Sequence, residues 1–158
     1  TRIGHILGPA DNVLTHARLA GTRRALAERQ LAERPDWFFA GNFLLEAGVE
    51  AARSWLALGE RPTAVTASSD VMACGFIAEL HRAGVSTPRD ISVVGFDDID
   101  IAAQFIPGLT TIRQPRLEIG EAAAEMLIEL IRNPDQIGGN WPKMLAAELI
   151  VRGSTGAP

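Results

Sequence analysis

The stretch PTAVTASSDVMACG, residues 62–75, decides the fold of this chain. Its apolar segment 64–67 is short and continuous, which is typical of a buried strand. The hydroxyl of Ser69 and the carboxylate of Asp70 follow at once, and side chains of these types cap the beginning of a helix. A helix is therefore predicted over residues 71–83. A buried strand that passes directly into a capped helix is the repeating unit of an α/β fold.

The same alternation extends in both directions along the chain. Apolar runs too short for helices predict strands, and apolar residues at helical spacing predict helices. The predicted strands are residues 3–7, 37–41, 64–67, 91–96, 109–112 and 145–151, and the predicted helices are residues 14–31, 44–58, 71–83, 99–105 and 116–131. Alternating strands and helices form right-handed βαβ units, so the predicted fold class is α/β, a parallel sheet with helices on both faces.

The composition excludes several classes of protein. The chain has 158 residues, of which 47% are apolar, and its net charge is −4. This length and composition suit one globular domain, and the acidic balance offers no basic face for nucleic acid. No apolar run reaches the ~20 residues that a membrane span needs. The single Cys74 cannot form an internal disulfide, which favours a reducing, cytoplasmic location.

Sequence motifs for catalysis and for cofactors are missing. There is no phosphate-binding P-loop, no dinucleotide-binding glycine motif and no paired-cysteine metal motif. The three histidines, His5, His16 and His81, fall on different predicted elements, so no metal site is expected. We therefore expect no cofactor, no metal and no enzymatic activity. A hydrolase that uses Asp97 and Asp98 is the least favoured alternative.

Polar side chains follow the predicted strands at the edge where open parallel sheets bind ligands. Asn12 and Arg18 come after the first strand, Phe43 after the second, Ser69 after the third and Asp97 after the fourth. Vicinal hydroxyls of a polyol can accept from Arg18 and donate to Asp97, while a C–H face packs on an aromatic ring. A sugar-like ligand therefore suits this edge. The alternative is that Arg18 and Asp97 only pair with each other and cap their helices.

An ordered set of motifs runs along nearly the whole chain. Residues 18–21 (RLAG), 62–75, 88–99 (PRDISVVGFDDI) and 107–115 (PGLTTIRQP) together resemble the LacI/GalR family of bacterial transcription regulators. The resemblance implies two α/β subdomains like those of a type I periplasmic binding protein, with a small-molecule effector in the cleft between them. This chain is then mostly the C-terminal subdomain.

The resemblance assigns roles to individual residues. Arg18 and Asp97 match family residues that contact the effector, and Phe43 matches an aromatic residue that packs on it. Asn12 lies where the first loop of the family contributes contacts. Ser69 stands where the family more often has Asn. The resemblance thus implies an effector-binding site formed by these five residues.

The resemblance also implies a homodimer. Family members pair through surfaces that match Ala47, Cys74, Ile77, Ile101 and Phe105 in this chain. Ile101 and Phe105 are four residues apart, so they share one side of a short helical turn. The alternative is that these two residues belong to the core of the single chain.

The resemblance further implies a division of the chain. Residues 1–112 are expected to form the C-terminal effector-binding subdomain. Residues 113–142 are expected to cross the hinge and to supply a helix of the other subdomain, and residues 143–158 to form a return strand and tail. Because the chain begins at Thr1 with a predicted strand, we expect a fragment of a longer protein. The apolar stripe of helix 116–131 is then expected to lack its normal partner.

These expectations combine into one function. The resemblance implies the effector-sensing part of a LacI-type transcriptional regulator, most simply a repressor, that binds a sugar or sugar derivative. The parent protein is expected to be a cytoplasmic homodimer without membrane contact. It would reach operator DNA only through an N-terminal helix-turn-helix that is absent from this chain. The alternative is a periplasmic sugar-binding protein of an ABC transporter, which shares the architecture.

Overall fold

A computed structural model describes residues 1–134 and 144–157. Strands and helices alternate along the chain as the sequence predicts. The strands are β1 (Ile3–Ile6), β2 (Phe38–Phe39), β3 (Ala64–Ala67), β4 (Ser92–Asp97), β5 (Thr110–Arg113) and β6 (Glu148–Ile150). The helices are α1 (Val13–Glu28), α2 (Leu45–Ala57), α3 (Asp70–Arg82), α4 (Asp100–Gln104) and α5 (Arg116–Arg132).

The described residues form one sheet of six strands in the order β2-β1-β3-β4-β5-β6. Neighbouring strands are parallel except for β5 and β6, which run antiparallel. The chain begins at β1, the second strand of the sheet. It continues to the edge strand β2 and then crosses to β3, on the other side of β1. The strand order therefore reverses between β1 and β3, and loops that diverge at such a point leave a crevice at the carboxyl ends of the strands.

The two faces of the sheet carry different helices. Ile6, Val65 and Val93 point into the main hydrophobic core, which α2 and α3 complete. Side chains alternate along a strand, so His5 points to the opposite face. There its ring lies 3.4 Å from the hydroxyl of Thr22 in α1. The predicted α/β class with helices on both faces is confirmed.

Two predicted strands differ from the structure. Within segment 37–41 only Phe38–Phe39 is strand, and a 3-10 turn at Pro35–Trp37 precedes it. The Trp37 side chain is buried, and its indole N–H donates to the carbonyl oxygen of Glu60 at 3.1 Å, which holds this turn against the neighbouring loop. The last strand, predicted over residues 145–151, is limited to three residues that pair antiparallel with β5.

Helix α5 exposes its apolar residues. Leu117, Leu127 and Ile131 are 72%, 59% and 70% exposed, and Ala122 is the buried residue of this helix. Within the predicted stripe, Ile119 and Leu127 are exposed and Met126 and Leu130 are partly buried, so the stripe is largely open to solvent in this chain. The assignment of the helix to a second subdomain stays a prediction. The predicted boundary between residues 142 and 143 lies outside the described residues. Within the described ranges, no helix combines the length and apolarity needed to cross a membrane.

The residues predicted for a dimer surface differ in exposure. Cys74 and Ile77 are 6% and 3% exposed because they pack in the core of this chain. Ala47 and Phe105 are half-buried against the same core. Ile101 is 53% exposed. Of these five residues, Ile101 therefore offers the most accessible surface to a second chain. The dimer surface itself stays a prediction.

Candidate functional site

Arg18 lies at the centre of the candidate site. Its place in the second turn of α1 brings the guanidinium to the carboxyl ends of the strands, where it donates to the main-chain carbonyl of Ser68. The guanidinium carbon is 3.9 Å from the centre of the Phe96 ring and 5.7 Å from that of Phe43. Both rings are within cation–π range, so they hold the planar group in place and shield it from water.

Asp97 faces Arg18 across the site. Its Oδ1 atom lies 3.6 Å from Nη2 of Arg18 and accepts a hydrogen bond of 2.6 Å from Nε2 of Gln114. Burial raises the pKa of Asp97 above its ordinary value, although Arg18 and Gln114 act in the opposite direction. Burial likewise lowers the pKa of Arg18 by more than Asp97 raises it. Both charges are therefore poorly solvated, and a polar ligand that hydrogen-bonds to them gains from this.

The aromatic wall depends on a close approach between two loops. Phe43 adopts a φ of 67° and follows Asn42, whose side chain accepts from the amide of Leu44 at 2.9 Å. A Cβ atom at Gly8 would lie 2.4 Å from the Phe43 ring, so only glycine leaves room for that ring. The loops after β1 and β2 are thereby packed together, and Phe43 is placed beside Arg18.

The other two predicted effector contacts serve as helix caps. Oδ1 of Asn12 accepts from the amide of Leu14 at 2.8 Å, at the beginning of α1. Oγ of Ser69 accepts from the amide of Met72 at 3.3 Å, and Ser69 is only 4% exposed. The structure therefore gathers the other three predicted residues into one group and places these two at the same sheet edge in capping roles.

A groove of about 610 Å³ opens beside this group, between α1 and the sheet. Arg18, Phe96 and Gln114 are among its lining residues, whereas Asp97 and Phe43 lie outside the lining. Phe96 and Gln114 are not among the site residues predicted from the sequence. The available signals are that Phe96 directly precedes Asp97 and that Gln114 directly follows β5, both at the carboxyl edge. The remaining walls include the apolar side chains of Leu14, Ala17 and Ile112.

A buried, neutral histidine supports the floor of the site. Nε2 of His5 lies 3.0 Å from the hydroxyl of Ser68, and Nδ1 lies 2.6 Å from the hydroxyl of Thr66. Burial and, to a smaller extent, the charge of Arg18 lower the pKa of His5 from 6.5 to about 4. The imidazole is therefore uncharged at neutral pH and can serve as a hydrogen-bonding support beneath a cation.

The lowered pKa of His5 predicts that the folded chain loses stability in acid. An unfolded chain protonates His5 near pH 6.5, whereas the folded chain does so only near pH 4, so the unfolded state gains protons first as the pH falls. The free energy of unfolding is expected to fall between pH 6.5 and pH 4 by about 3 kcal/mol from this group. Urea unfolding of the wild type and of His5→Gln across this range measures it. Equal pH slopes for the two proteins would contradict the prediction.

Comparison with known proteins places this chain in a family. The sequence model of the periplasmic binding protein-like domain matches residues 1–155. A crystal structure from Escherichia coli, a sugar-binding transcriptional regulator of the LacI family complexed with phosphate, superposes with a TM-score of 0.89 at 33% identity. The match covers 99% of this chain and 55% of that chain. The chain belongs to the LacI family of periplasmic binding protein-like domains.

This LacI-family domain has repressors among its relatives. The HTH-type transcriptional repressor CytR of Escherichia coli K12 is 42% identical over 156 residues, which cover 99% of this chain and 45% of CytR. The Lac repressor dimer bound to operator and the anti-inducer ONPF superposes with a TM-score of 0.89 at 29% identity, over 99% of this chain and 53% of that one. The domain thus spans less than half the length of its curated relative. These relatives are regulators rather than enzymes, and they do not favour the periplasmic transport alternative.

Proposed function

We propose that this chain is the effector-binding part of a LacI-family repressor and that it binds a sugar or sugar derivative at the carboxyl edge of its sheet. The observation that carries the proposal is the approach of Arg18 and Asp97 to 3.6 Å beside an open groove. A guanidinium can donate to one hydroxyl of a polyol while the carboxylate accepts from the next. The ring of Phe43 offers a surface for the C–H face of the same molecule.

The groove supports a ligand of mixed character. Arg18 and Gln114 contribute polar groups to its lining, and most of the lining surface is apolar. Asn12 and Ser69, which cap α1 and α3, belong to the proposed site as loop residues near the ligand. A molecule with vicinal hydroxyls at one end and an apolar face or substituent at the other would use both parts.

The proposed parent protein senses this ligand with two subdomains. Residues 1–112 supply one wall of the cleft, residues 113–142 cross to a second subdomain, and residues 143–158 form a return strand and tail. The exposed apolar stripe of α5 supports a partner outside this chain. A ligand changes the balance between open and closed states only by its difference in affinity for them. That balance would set how the helix-turn-helix heads of a cytoplasmic homodimer meet operator DNA.

The proposed homodimer pairs through Ala47, Cys74, Ile77, Ile101 and Phe105, of which Cys74 and Ile77 are buried in the single chain. The exposure of Ile101 and the half-buried ring of Phe105 support this surface. The Lac repressor, which is similar in structure to this chain, is a dimer when it is bound to its operator. Sedimentation of the parent protein and of its Ile101→Asp variant tests the surface: the variant is expected to be monomeric, and an unchanged dimer would exclude it.

Calorimetric titration of the full-length parent with a panel of sugars and nucleobases tests the proposed ligand class. Asp97→Asn is expected to weaken the tightest panel ligand by about 10- to 100-fold, because a charge-assisted hydrogen bond is lost. The matched control is Asp90→Asn, whose carboxylate accepts from the amide of Ser86 far from the carboxyl edge. Unchanged affinity in Asp97→Asn, or binding by nucleobases alone, would overturn the sugar site.

A further inference from the structure

The turn that carries Asp97 has an unusual backbone. Asp97 and Asp98 have φ angles of 118° and 51°, so two successive residues lie in the region that favours glycine. Neither residue is glycine, and such conformations persist only where surrounding contacts hold them. The direction in which the Asp97 carboxylate points therefore depends on whatever fixes this turn.

Asp98 is tied to two separate parts of the chain. Its Oδ2 atom accepts from Nε of Arg113, the last residue of β5, at 2.6 Å. Its Oδ1 atom accepts from Nη2 of Arg152, which follows β6, also at 2.6 Å. Arg152 donates in addition to the carbonyl of Leu109 at 2.7 Å. Asp98 is only 8% exposed and Arg152 18%, so their ion pair is largely shielded from water and salt, whereas Arg113 is 48% exposed.

Two residues that follow Arg113 make further hydrogen bonds to the turn at Asp97 and Asp98. Gln114 donates to Oδ1 of Asp97 at 2.6 Å, and Arg116 donates to the main-chain carbonyl of Asp98 at 3.2 Å. Side chains at positions 113, 114 and 116 thus hold both residues of the turn. If this segment shifts relative to the sheet, the hydrogen bonds require the turn and the Asp97 carboxylate to move with it.

We propose that Asp98 is a positioning residue: through Arg113 and Arg152 it fixes the direction of the Asp97 carboxylate and couples it to the segment that leaves β5. The proposal rests on the proposed function only in treating Asp97 as an effector contact. Its consequence for regulation is direct. A ligand that displaces the Asp97 carboxylate also displaces residues 113–116 through these hydrogen bonds. Conversely, a movement of residues 113–116 reorients the Asp97 carboxylate.

The hydrogen bond between Gln114 and Asp97 provides a readout that needs no ligand. In NMR spectra of the 158-residue chain, the Gln114 side-chain amide is expected to be shifted downfield and protected from exchange with water. In Asp98→Asn, which keeps the shape but loses the charge that binds both arginines, we expect loss of that shift and of that protection. The matched control, Asp100→Asn, changes an exposed carboxylate two residues away and is expected to leave the signal in place.

A second variant keeps the test decisive. Arg113→Gln removes one of the two donors to Asp98 from a half-exposed position, and it is expected to shift the Gln114 signal in the same direction by a smaller amount. If Asp98→Asn does not fold, this variant carries the test. A folded variant in which the Gln114 amide and the Arg18 side-chain signals keep their wild-type positions would overturn the positioning role. Because no ligand is present, failure of the sugar panel leaves this result unaffected.

Discussion

Replacing Arg18 by methionine is expected to weaken binding of the tightest panel ligand to the parent protein by about 100-fold, equivalent to about 3 kcal/mol. Methionine keeps most of the length and the apolar contact with Phe43 and Phe96 but cannot donate hydrogen bonds. The variant also leaves Asp97 half-buried without its cation, which raises the pKa of Asp97 further and makes the carboxyl group a weaker acceptor for a ligand hydroxyl. Isothermal calorimetry of wild type and variant measures the difference.

The matched control for Arg18 is a second arginine on the same helix. Arg24 is 79% exposed, and its ion pair with Glu28 spans 3.8 Å, so Arg24→Met is expected to bind with wild-type affinity. Thermal unfolding of both variants shows whether weaker binding results from a lost ligand contact or from a loss of folded protein. If Arg18→Met remains folded and binds within twofold of the wild type, the guanidinium does not contact the ligand and the site is elsewhere.

Replacing Gly48 by valine is expected to destabilise the chain by at least about 3 kcal/mol and to lower its melting temperature by about 10 °C. Helices α2 and α3 touch through their main chains at this point. A Cβ atom on Gly48 would lie 2.0 Å from the carbonyl oxygen of Met72, and one on Gly75 would lie 2.2 Å from that of Leu45. Main-chain atoms cannot rotate away as side chains do, so the helices would have to separate.

The control for Gly48 is a glycine in open space. Gly120 lies inside α5, and a Cβ atom there would meet nothing within 4 Å. Gly120→Ala is expected to raise the free energy of unfolding by about 0.5 kcal/mol, because alanine loses less backbone freedom on folding. Urea titration followed by circular dichroism measures both variants. Wild-type stability in Gly48→Val would show that α2 and α3 are not in main-chain contact.

Local sequence was sufficient to predict most of the strands and helices but not the residues at which they begin and end. Strand Ala64–Ala67 has the predicted bounds, because continuous apolar residues and the Ser69 cap act over a few positions. Strand Phe38–Phe39 is shorter than predicted, because Trp37 is buried through a contact with Glu60 that no local pattern reveals. The antiparallel direction of Glu148–Ile150 likewise depends on pairing with a strand far away in the sequence.

The candidate site was predictable in outline. Positions after the strands, together with the family motifs, pointed to Arg18, Phe43 and Asp97, and these three side chains lie in one group. Phe96 and Gln114 were not predicted, although both lie at the carboxyl edge in the sequence. A strand residue that stacks on a guanidinium looks in sequence like any core aromatic, and Gln114 carries no charge or motif of its own.

The sequence by itself determined the order of strands and helices along the chain and the α/β class, while the ligand-binding edge that it indicates stays a prediction. Hydrophobic periodicity and helix capping are local properties, so they can be read along the chain. Only the tertiary structure decided that Arg18 and Asp97 lie 3.6 Å apart and that Asp98 holds the turn between two arginines. Those arrangements arise from contacts between residues far apart in sequence, where packing and charge pairing override local preference.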